Sequence, residues 1–203
     1  MVGNSPDVGS SAVALALSER AAVHAELWTA LQRPATLTAI ARSATKISSS
    51  LSAGGTIFFC GNGGSAADAQ HLAAEFVGRY QADRRPLAAI VLGSSQAVAS
   101  ALANDYGYAE AGLARELEAL GSSGDVLVAL SASGRSPNVL NALTVAGDKG
   151  IAAIALTGRG HQLGELCSDV IEIDSTSVAL IQEMHSVIGH IICELVERKL
   201  GFA

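Results

Sequence analysis

The sequence predicts an α/β fold in which a parallel five-stranded sheet, doubly wound and flanked by helices, follows an N-terminal helical hairpin. Two observations indicate this fold. Five short segments are apolar throughout rather than alternating with polar residues, which is typical of strands that are buried on both faces. Helical segments alternate with these strands, and that order gives a parallel sheet covered on both sides.

The first 54 residues form the predicted hairpin. One helical pattern runs from Ala12 to Ala30 and ends before Pro34, and a second runs from Ala35 to Leu51 and stops at Gly54-Gly55, because proline and glycine terminate helices. We therefore divide the chain into a helical extension, residues 1–54, and one domain, residues 55–203. The apolar stripe of the extension fits packing on a partner chain and packing on its own domain equally well.

The strands and helices of the domain are predicted in alternation. Strands are expected at residues 56–60, 87–92, 125–130, 151–156 and 170–173. An Ala-rich helix follows the first strand, and further helices are expected at 94–103, 113–120, 137–149, 163–167 and about 180–200.

Composition narrows the class of protein. Hydrophobic residues make up 49% of the chain and charged residues 16%, which excludes a disordered protein. The net charge of −6, without a Lys/Arg run, argues against a nucleic-acid partner. Cys60, Cys167 and Cys193 lie in apolar segments without metal-binding spacing, as in a reduced cytoplasmic protein. We expect no signal peptide in residues 1–11, no membrane-spanning segment and a cytoplasmic location.

The turn after the first strand has the local sequence of an anion site. Residues 61–65 read GNGGS and lead directly into the Ala-rich helix. Glycines let the backbone approach a ligand closely, and the free N–H groups of a helix start point at it. On that helix His71, Glu75 and Arg79 follow at steps of four, so they are expected along one stripe. The stretch predicts a phosphate cradle with acid and base groups beside it.

Two further polar turns are expected at the carboxyl ends of strands, where ligands bind in such sheets. One contains Asn104 and Asp105, and the other spans Ser131–Ser136. In the second, hydroxyl groups precede a helix start at Pro137, which suits a phosphate. Arg135 in this turn either contacts the anion or faces water.

Six motifs occur in a specific order: GNGGS at 61–65, AxHxAxEFxGR at 69–79, ANDYGY at 103–108, SxSGxS at 131–136, LTG at 156–158 and IQEMHxxxxH at 181–190. Together they resemble the phosphoheptose isomerases, members of the sugar-isomerase (SIS) domain group, from about Gly55 to the end of the chain. The resemblance implies that the protein binds a sugar phosphate. The Ala-rich apolar composition and the helical hairpin, together with the spacing of Gln182 and His190, predict a homotetramer.

The resemblance also implies site residues. Glu75 and His190 correspond to the acid/base pair, and His71, Glu75, Gln182 and His190 to a set that binds zinc in some members. The implied substrate contacts are Asn62, Gly63, Gly64, Ser65, Glu75, Asn104, Asp105, Ser131, Ala132, Ser133, Ser136 and Gln182.

Three residues depart from the family pattern. Leu180 stands where an Arg is usual, Ala132 where a Thr is usual, and Arg135 where an Asn is usual. These departures affect which sugar binds more than which reaction occurs. Gln182 and His190 are also eight residues apart, roughly 12 Å along a regular helix. Either the helix start is irregular or two subunits contribute to one metal site.

The resemblance implies conversion of sedoheptulose 7-phosphate to D-glycero-D-manno-heptose 7-phosphate through an enediol, the first step of nucleotide-activated heptose biosynthesis. Two alternatives remain: a non-catalytic SIS protein, such as a replication-initiation regulator, and an isomerase of another phosphosugar. The presence of His190 favours an enzyme. His24 and His161 are interpreted as surface or packing residues, and His185 either supports the site or lies at a subunit interface.

Overall fold

A computed structural model of the chain describes residues 9–108 and 112–202. The helices are α1 (Ser10–Leu31), α2 (Pro34–Ser52), α3 (Gly64–Val77), α4 (Gln96–Tyr106), α5 (Leu113–Leu120), α6 (Pro137–Asp148) and α7 (Val178–Lys199). The strands are β1 (Ile57–Cys60), β2 (Ala89–Val91), β3 (Val126–Ser131), β4 (Ala152–Gly158) and β5 (Asp169–Ile173). A short 3₁₀ helix, Gly164–Leu166, precedes β5.

The five strands form one parallel sheet in the order β2-β1-β3-β4-β5, which confirms the predicted fold class. Because side chains alternate along a strand, each strand contributes to two cores. Ile57 and Phe59 belong to the core shared with α2, α3 and α7, whereas Phe58 and Cys60 belong to the core shared with α5 and α6. Because all five strands are parallel, their carboxyl ends lie at one edge of the sheet.

The two N-terminal helices pack differently. On α2, Ile40, Ala44, Ile47 and Leu51 are buried in the core that also contains β1 and α7. On α1 only Leu27 and Leu31 are buried, and several of its apolar side chains are exposed: Val13, Leu15, Leu17, Val23 and Trp28. The stripe of α2 therefore packs on its own domain, while that of α1 stays open in the single chain. The division at residue 54 remains a prediction.

Helix α7 corrects one expectation. Within the described residues it is the one helix long and apolar enough to cross a membrane, with 22 residues and a mean hydropathy of 1.2. No segment of this length is expected from the sequence alone. The helix nevertheless packs against α2 and α3, and Met184, Ile188 and Val196 along it are fully buried. A core helix of a globular domain meets the same length and composition criterion.

Two helix ends differ from the sequence prediction in ways that affect the site. Helix α3 ends at Val77, and the N–H of Gly78 closes its last turn on the carbonyl of Ala74. Arg79 therefore lies outside the helix, and the predicted stripe of three residues is wrong at its third member. Helix α4 continues to Tyr106 and stops only at Gly107, whose φ is 82°. Asn104 and Asp105 thus belong to the last helical turn rather than to a loop.

Candidate functional site

The β1–α3 turn comes very close to two neighbouring segments. A Cβ on Gly61 would lie 2.7 Å from the carbonyl carbon and oxygen of Ser65 and 2.9 Å from the carbonyl oxygen of Leu130. A Cβ on Gly64 would lie 2.6 Å from the Nε2 atom of Gln182. Gly63 has a φ of 55° and forms the N-cap of α3. The Gly-rich turn requires glycine for its contacts with β3 and α7 as well as for backbone freedom.

Helix α7 lies alongside α3 and carries the second half of the site. Gln182 donates a hydrogen bond to the buried Ser65 hydroxyl over 3.4 Å. Ser186 donates to Asp68 over 3.3 Å. Farther along, a Cβ on Gly189 would lie 2.4 Å from a methyl carbon of Leu72. This close approach brings the next residue, His190, beside the middle of α3.

Three side chains converge where α3 and α7 meet. The Nε2 atoms of His71 and His190 are 2.8 Å apart, so one imidazole donates and the other accepts. The His71 Nε2 atom lies 3.7 Å from a Glu75 carboxylate oxygen. The Tyr80 ring covers the other side of His190, with ring centroids 5.2 Å apart. The structure thus brings together Glu75 and His190, the predicted acid/base pair.

The same three side chains suit a metal ion. One ligand atom from each of His71, Glu75 and His190 lies within 4.8 Å of the others. Two imidazoles and a carboxylate are a ligand set that zinc accepts in catalytic sites, where a further position stays open for water or substrate. The donor atoms present in one chain therefore fit zinc.

Gln182, the fourth predicted ligand, does not lie in this cluster. Helix α7 is continuous from Val178, so the irregular helix start considered from the sequence is excluded. The regular helix separates Gln182 from His190 by roughly 12 Å. Within one chain, Gln182 contacts the cradle at Ser65 instead.

Asn62 is fixed by two residues that we did not predict. Its side-chain amide and that of Asn138 bind each other reciprocally, with both N···O distances 2.9 Å. The Tyr108 hydroxyl donates to the same Asn62 oxygen over 2.7 Å. Asn138 stands in the first turn of α6, two residues after the serine turn. The amide pair therefore ties the two predicted anion-binding turns to each other.

A cavity of about 200 Å³ opens beside Asn62. It lies between α3 and α4, and its walls include Gln70, Val91, Ala103 and Tyr108. Asn104 and Asp105 are exposed, and the amide of Asn104 donates to the carboxylate of Asp105 over 2.9 Å. Their predicted role as substrate contacts stays a prediction.

The serine turn follows β3, next to β1 in the sheet. Ser131 is buried and accepts a hydrogen bond from the Gly134 N–H, and Ser133 accepts one from the Arg135 N–H. Ser136 occupies the N-cap of α6 without a capping bond from its side chain. The turn therefore presents hydroxyls and a helix start at the sheet edge that carries the cradle, which suits an anion.

The three residues that depart from the family pattern all contact other parts of the protein. Arg135 donates from Nε and Nη2 to the carbonyl oxygen of Gly160, over 3.1 and 2.6 Å. The Arg135 side chain is nevertheless exposed, so the water-facing orientation considered from the sequence is retained. Leu180 is partly buried and packs against the core. Ala132 packs against the same core and accepts a hydrogen bond from the Gly158 N–H through its carbonyl oxygen.

The remaining histidines, which are outside the α3–α7 cluster, are His24, His161 and His185. His24 contacts the Glu183 carboxylate at 2.6 Å, and His161 lies 3.4 Å from that of Glu172. His185 is fully buried within one chain, which excludes a place at a subunit interface. Within the described residues, neither ring nitrogen of His185 has a hydrogen bond of good geometry. The Thr157 backbone nevertheless favours the protonated imidazole and acts to raise its pKa. Burial lowers the pKa of His185 to about 4.

This buried imidazole makes stability depend on pH. Because its pKa is lower in the folded protein than in the unfolded chain, the unfolded chain binds the extra proton between about pH 6.5 and 4. We expect the free energy of unfolding to fall by about 3 kcal/mol over this interval from His185 alone. Denaturant titrations at pH 7 and pH 4 should show a smaller loss for His185→Gln than for the wild type. Equal losses in the two proteins would contradict this assignment.

Comparison with known proteins gives concordant results. A model of the SIS domain family matches residues 21–158. The chain is 49% identical over 163 residues to a phosphoheptose isomerase of Rhodospirillum rubrum, covering 80% of this chain and 86% of the relative. It is 46% identical over 187 residues to one from a Bradyrhizobium strain, covering 92% and 94%.

Solved structures of phosphoheptose isomerases also resemble this chain. A phosphoheptose isomerase from Francisella tularensis superposes with a TM-score of 0.83 at 32% identity, covering 94% of this chain and all of the other. One from Neisseria gonorrhoeae superposes with a TM-score of 0.77 at 36% identity, covering 90% and 99%.

Proposed function

The chain belongs to the phosphoheptose isomerase family of SIS-domain proteins, and from that membership we propose that it converts sedoheptulose 7-phosphate to D-glycero-D-manno-heptose 7-phosphate. This reaction is the first step of nucleotide-activated heptose biosynthesis. The observation that carries the proposal is the convergence of Glu75 and His190 in a chain whose strands β1 and β3 both end in turns suited to an anion. A protein that only binds a phosphosugar needs the turns but has no use for an acid/base pair.

The reaction moves one proton between neighbouring carbons. The Glu75 carboxylate takes the proton from C1 of the ketose, which leaves an enediol, and returns it to C2. His190 acts on the oxygens: the C1 hydroxyl loses its proton and becomes the aldehyde, and the C2 oxygen gains one. No atom is lost or added, so the reaction requires no further reactant. In the metal-free chain, the hydrogen bond from His71 fixes the orientation of the His190 ring.

The phosphate of the substrate is assigned to the serine turn. We expect Ser133→Ala and Ser136→Ala each to weaken binding by about 1–3 kcal/mol, because a charged oxygen then lacks one hydrogen bond. KM should rise by about 5- to 150-fold with little change in kcat, since the phosphate contact is equal in ground and transition states. Steady-state kinetics test this, with Ser168→Ala at the opposite sheet edge as the control. Unchanged KM values in both variants would place the phosphate elsewhere.

We assign zinc to His71, Glu75 and His190, with Gln182 of a second subunit as the fourth ligand. Bound zinc would polarise the substrate carbonyl and stabilise the negative charge of the enediolate. Metal analysis should find one zinc per chain, and His71→Gln should lower that content. Full activity in protein freed of zinc by a chelator would overturn the requirement.

The protein is proposed to act as a homotetramer in the cytoplasm. The exposed apolar side chains of α1 and the distance between Gln182 and His190 support an assembly in which subunits share sites. The unpaired state of all three cysteines agrees with a reducing compartment. A stable and active monomer at micromolar concentration in light scattering would contradict the tetramer.

Substrate choice is tested with a panel of ketose phosphates. The heptulose phosphate should give the highest kcat/KM, and pentulose and hexulose phosphates lower values. Preference for another ketose phosphate would favour an isomerase of different specificity, for which Leu180, Ala132 and Arg135 are the first residues to exchange. Binding of sugar phosphates without turnover would favour a regulatory SIS protein.

A further inference from the structure

The loop that follows α3 is organised by one buried carboxylate. Glu197, on α7, accepts hydrogen bonds from three consecutive backbone N–H groups, those of Tyr80, Gln81 and Ala82, at 3.2, 3.2 and 3.0 Å. It also accepts one from Arg84 Nε at 2.8 Å. Burial acts to raise the pKa of Glu197, but these hydrogen bonds outweigh it and hold the pKa below its usual value. The side chain is therefore an ionised anchor inside the protein.

Arg84 connects this anchor to the helix that carries Glu75. Both Arg84 and Glu197 side chains are only 2% exposed. The Arg84 guanidinium donates to the carbonyl oxygens of Glu75 and Phe76 over 2.7 and 3.0 Å. These carbonyls belong to the last turn of α3, where the helix itself offers no N–H partner. The backbone of Glu75 is thus held through Arg84 by Glu197.

Tyr80 connects the same anchor to His190. Its N–H binds the Glu197 carboxylate, and its ring lies against the His190 ring at a centroid distance of 5.2 Å and an interplanar angle of 31°. The His71 ring meets His190 from another side, edge-on at 5.0 Å. His190 is therefore enclosed by two rings, and one of them depends on Glu197 for its position.

We propose that Glu197 is a positioning residue for the isomerase reaction, which sets the placement of Glu75 through Arg84 and of His190 through Tyr80. The inference rests on the proposed function, because Glu197 can position Glu75 and His190 for catalysis only if these two residues carry out the isomerisation. Glu197 touches neither catalytic side chain. Displacement of a catalytic group by about 1 Å can lower the rate by about 10²-fold.

The test is Glu197→Gln. The amide keeps the size of the side chain but turns a donor toward the backbone N–H groups and leaves the Arg84 charge unpaired. We expect kcat for the ketose phosphate to fall by about 10- to 100-fold, while KM changes less than about twofold because the serine turn is untouched.

Asp169→Asn is the matched control. The Asp169 side chain is likewise buried and pairs with Arg42 and Lys46, but it begins β5 at the amino edge of the sheet, away from the site. This variant should lower the melting temperature as Glu197→Gln does while retaining the wild-type kcat. Equal kcat values in the two variants would overturn the inference, since both would then act through stability alone.

Tyr80 provides a second test that leaves the buried ion pair intact. Tyr80→Phe keeps the ring against His190 and should keep kcat within about threefold, whereas Tyr80→Leu removes the ring and should lower kcat by about tenfold or more. Equal kcat values for these two variants would also overturn the inference. A wild type without isomerase activity would overturn the proposed function and the inference together, whereas an active wild type with unaffected variants would overturn only the inference.

Discussion

Replacing Glu75 with glutamine lowers the turnover of the ketose phosphate by roughly 10²–10⁴-fold, the usual contribution of a positioned general base. Glutamine keeps the length and hydrogen-bonding reach of the side chain but cannot accept the C1 proton. Binding of the sugar phosphate should survive, because the cradle and the serine turn are unchanged. Rapid-quench or steady-state kinetics with a separate binding measurement distinguish the two effects.

The controls for this variant follow from the cluster. Glu172→Gln, at an exposed carboxylate next to His161, should retain wild-type turnover. His190→Gln should fall as far as Glu75→Gln, and the double variant should be little worse than either, because the pair acts as one unit. Zinc content is measured in each variant, since both residues also belong to the proposed metal site. Near-normal turnover in zinc-loaded Glu75→Gln would contradict the assignment of the base.

Replacing Gly61 with alanine lowers the free energy of unfolding by about 3 kcal/mol or more, at the upper end for overpacking. The new methyl group would lie 2.7 Å from backbone atoms of Ser65 and 2.9 Å from the carbonyl oxygen of Leu130. Backbone atoms at these positions cannot rotate away as a side chain can, so either the cradle or the end of β3 must shift. Denaturant unfolding measures the loss.

Gly147→Ala is the matched control, because a Cβ at Gly147 meets no atom within 4 Å. Gly147 lies within α6, where alanine should raise stability by about 0.4–1 kcal/mol by restricting the unfolded chain. Opposite signs for the two variants are expected. A Gly61→Ala protein as stable as the wild type would mean that the β1–α3 turn is looser than the contacts indicate.

The sequence predicts the sheet well because its signal is local. Runs such as Phe58-Phe59-Cys60 and Leu127-Val128-Ala129 are apolar throughout and lie within strands. Helix ends are predicted less well. Asn104 and Asp105 have the composition of a turn, yet α4 continues through them until the positive φ of Gly107 stops it. Gly78 ends α3 before Arg79, so a spacing of four did not keep that residue on the helix.

The site is predicted only in part for a similar reason. Glu75, His71 and His190 are recognised by motif, and the structure brings them together. Asn138 and Glu197 have no local signal, since their partners lie 76 and 113–117 residues away in the chain. Such contacts exist only after the strands and helices pack, and no spacing in the sequence predicts them.

The central claim is that this chain isomerises a heptulose phosphate with Glu75 and His190. The most direct test is to incubate the purified protein with sedoheptulose 7-phosphate, with and without added zinc, and to follow the aldose product by NMR. We expect the heptose 7-phosphate to accumulate to equilibrium with the wild type, and to form at least about 10²-fold more slowly with Glu75→Gln. Absence of aldose from the wild type at every zinc concentration, with heptulose and pentulose phosphates alike, would contradict the account.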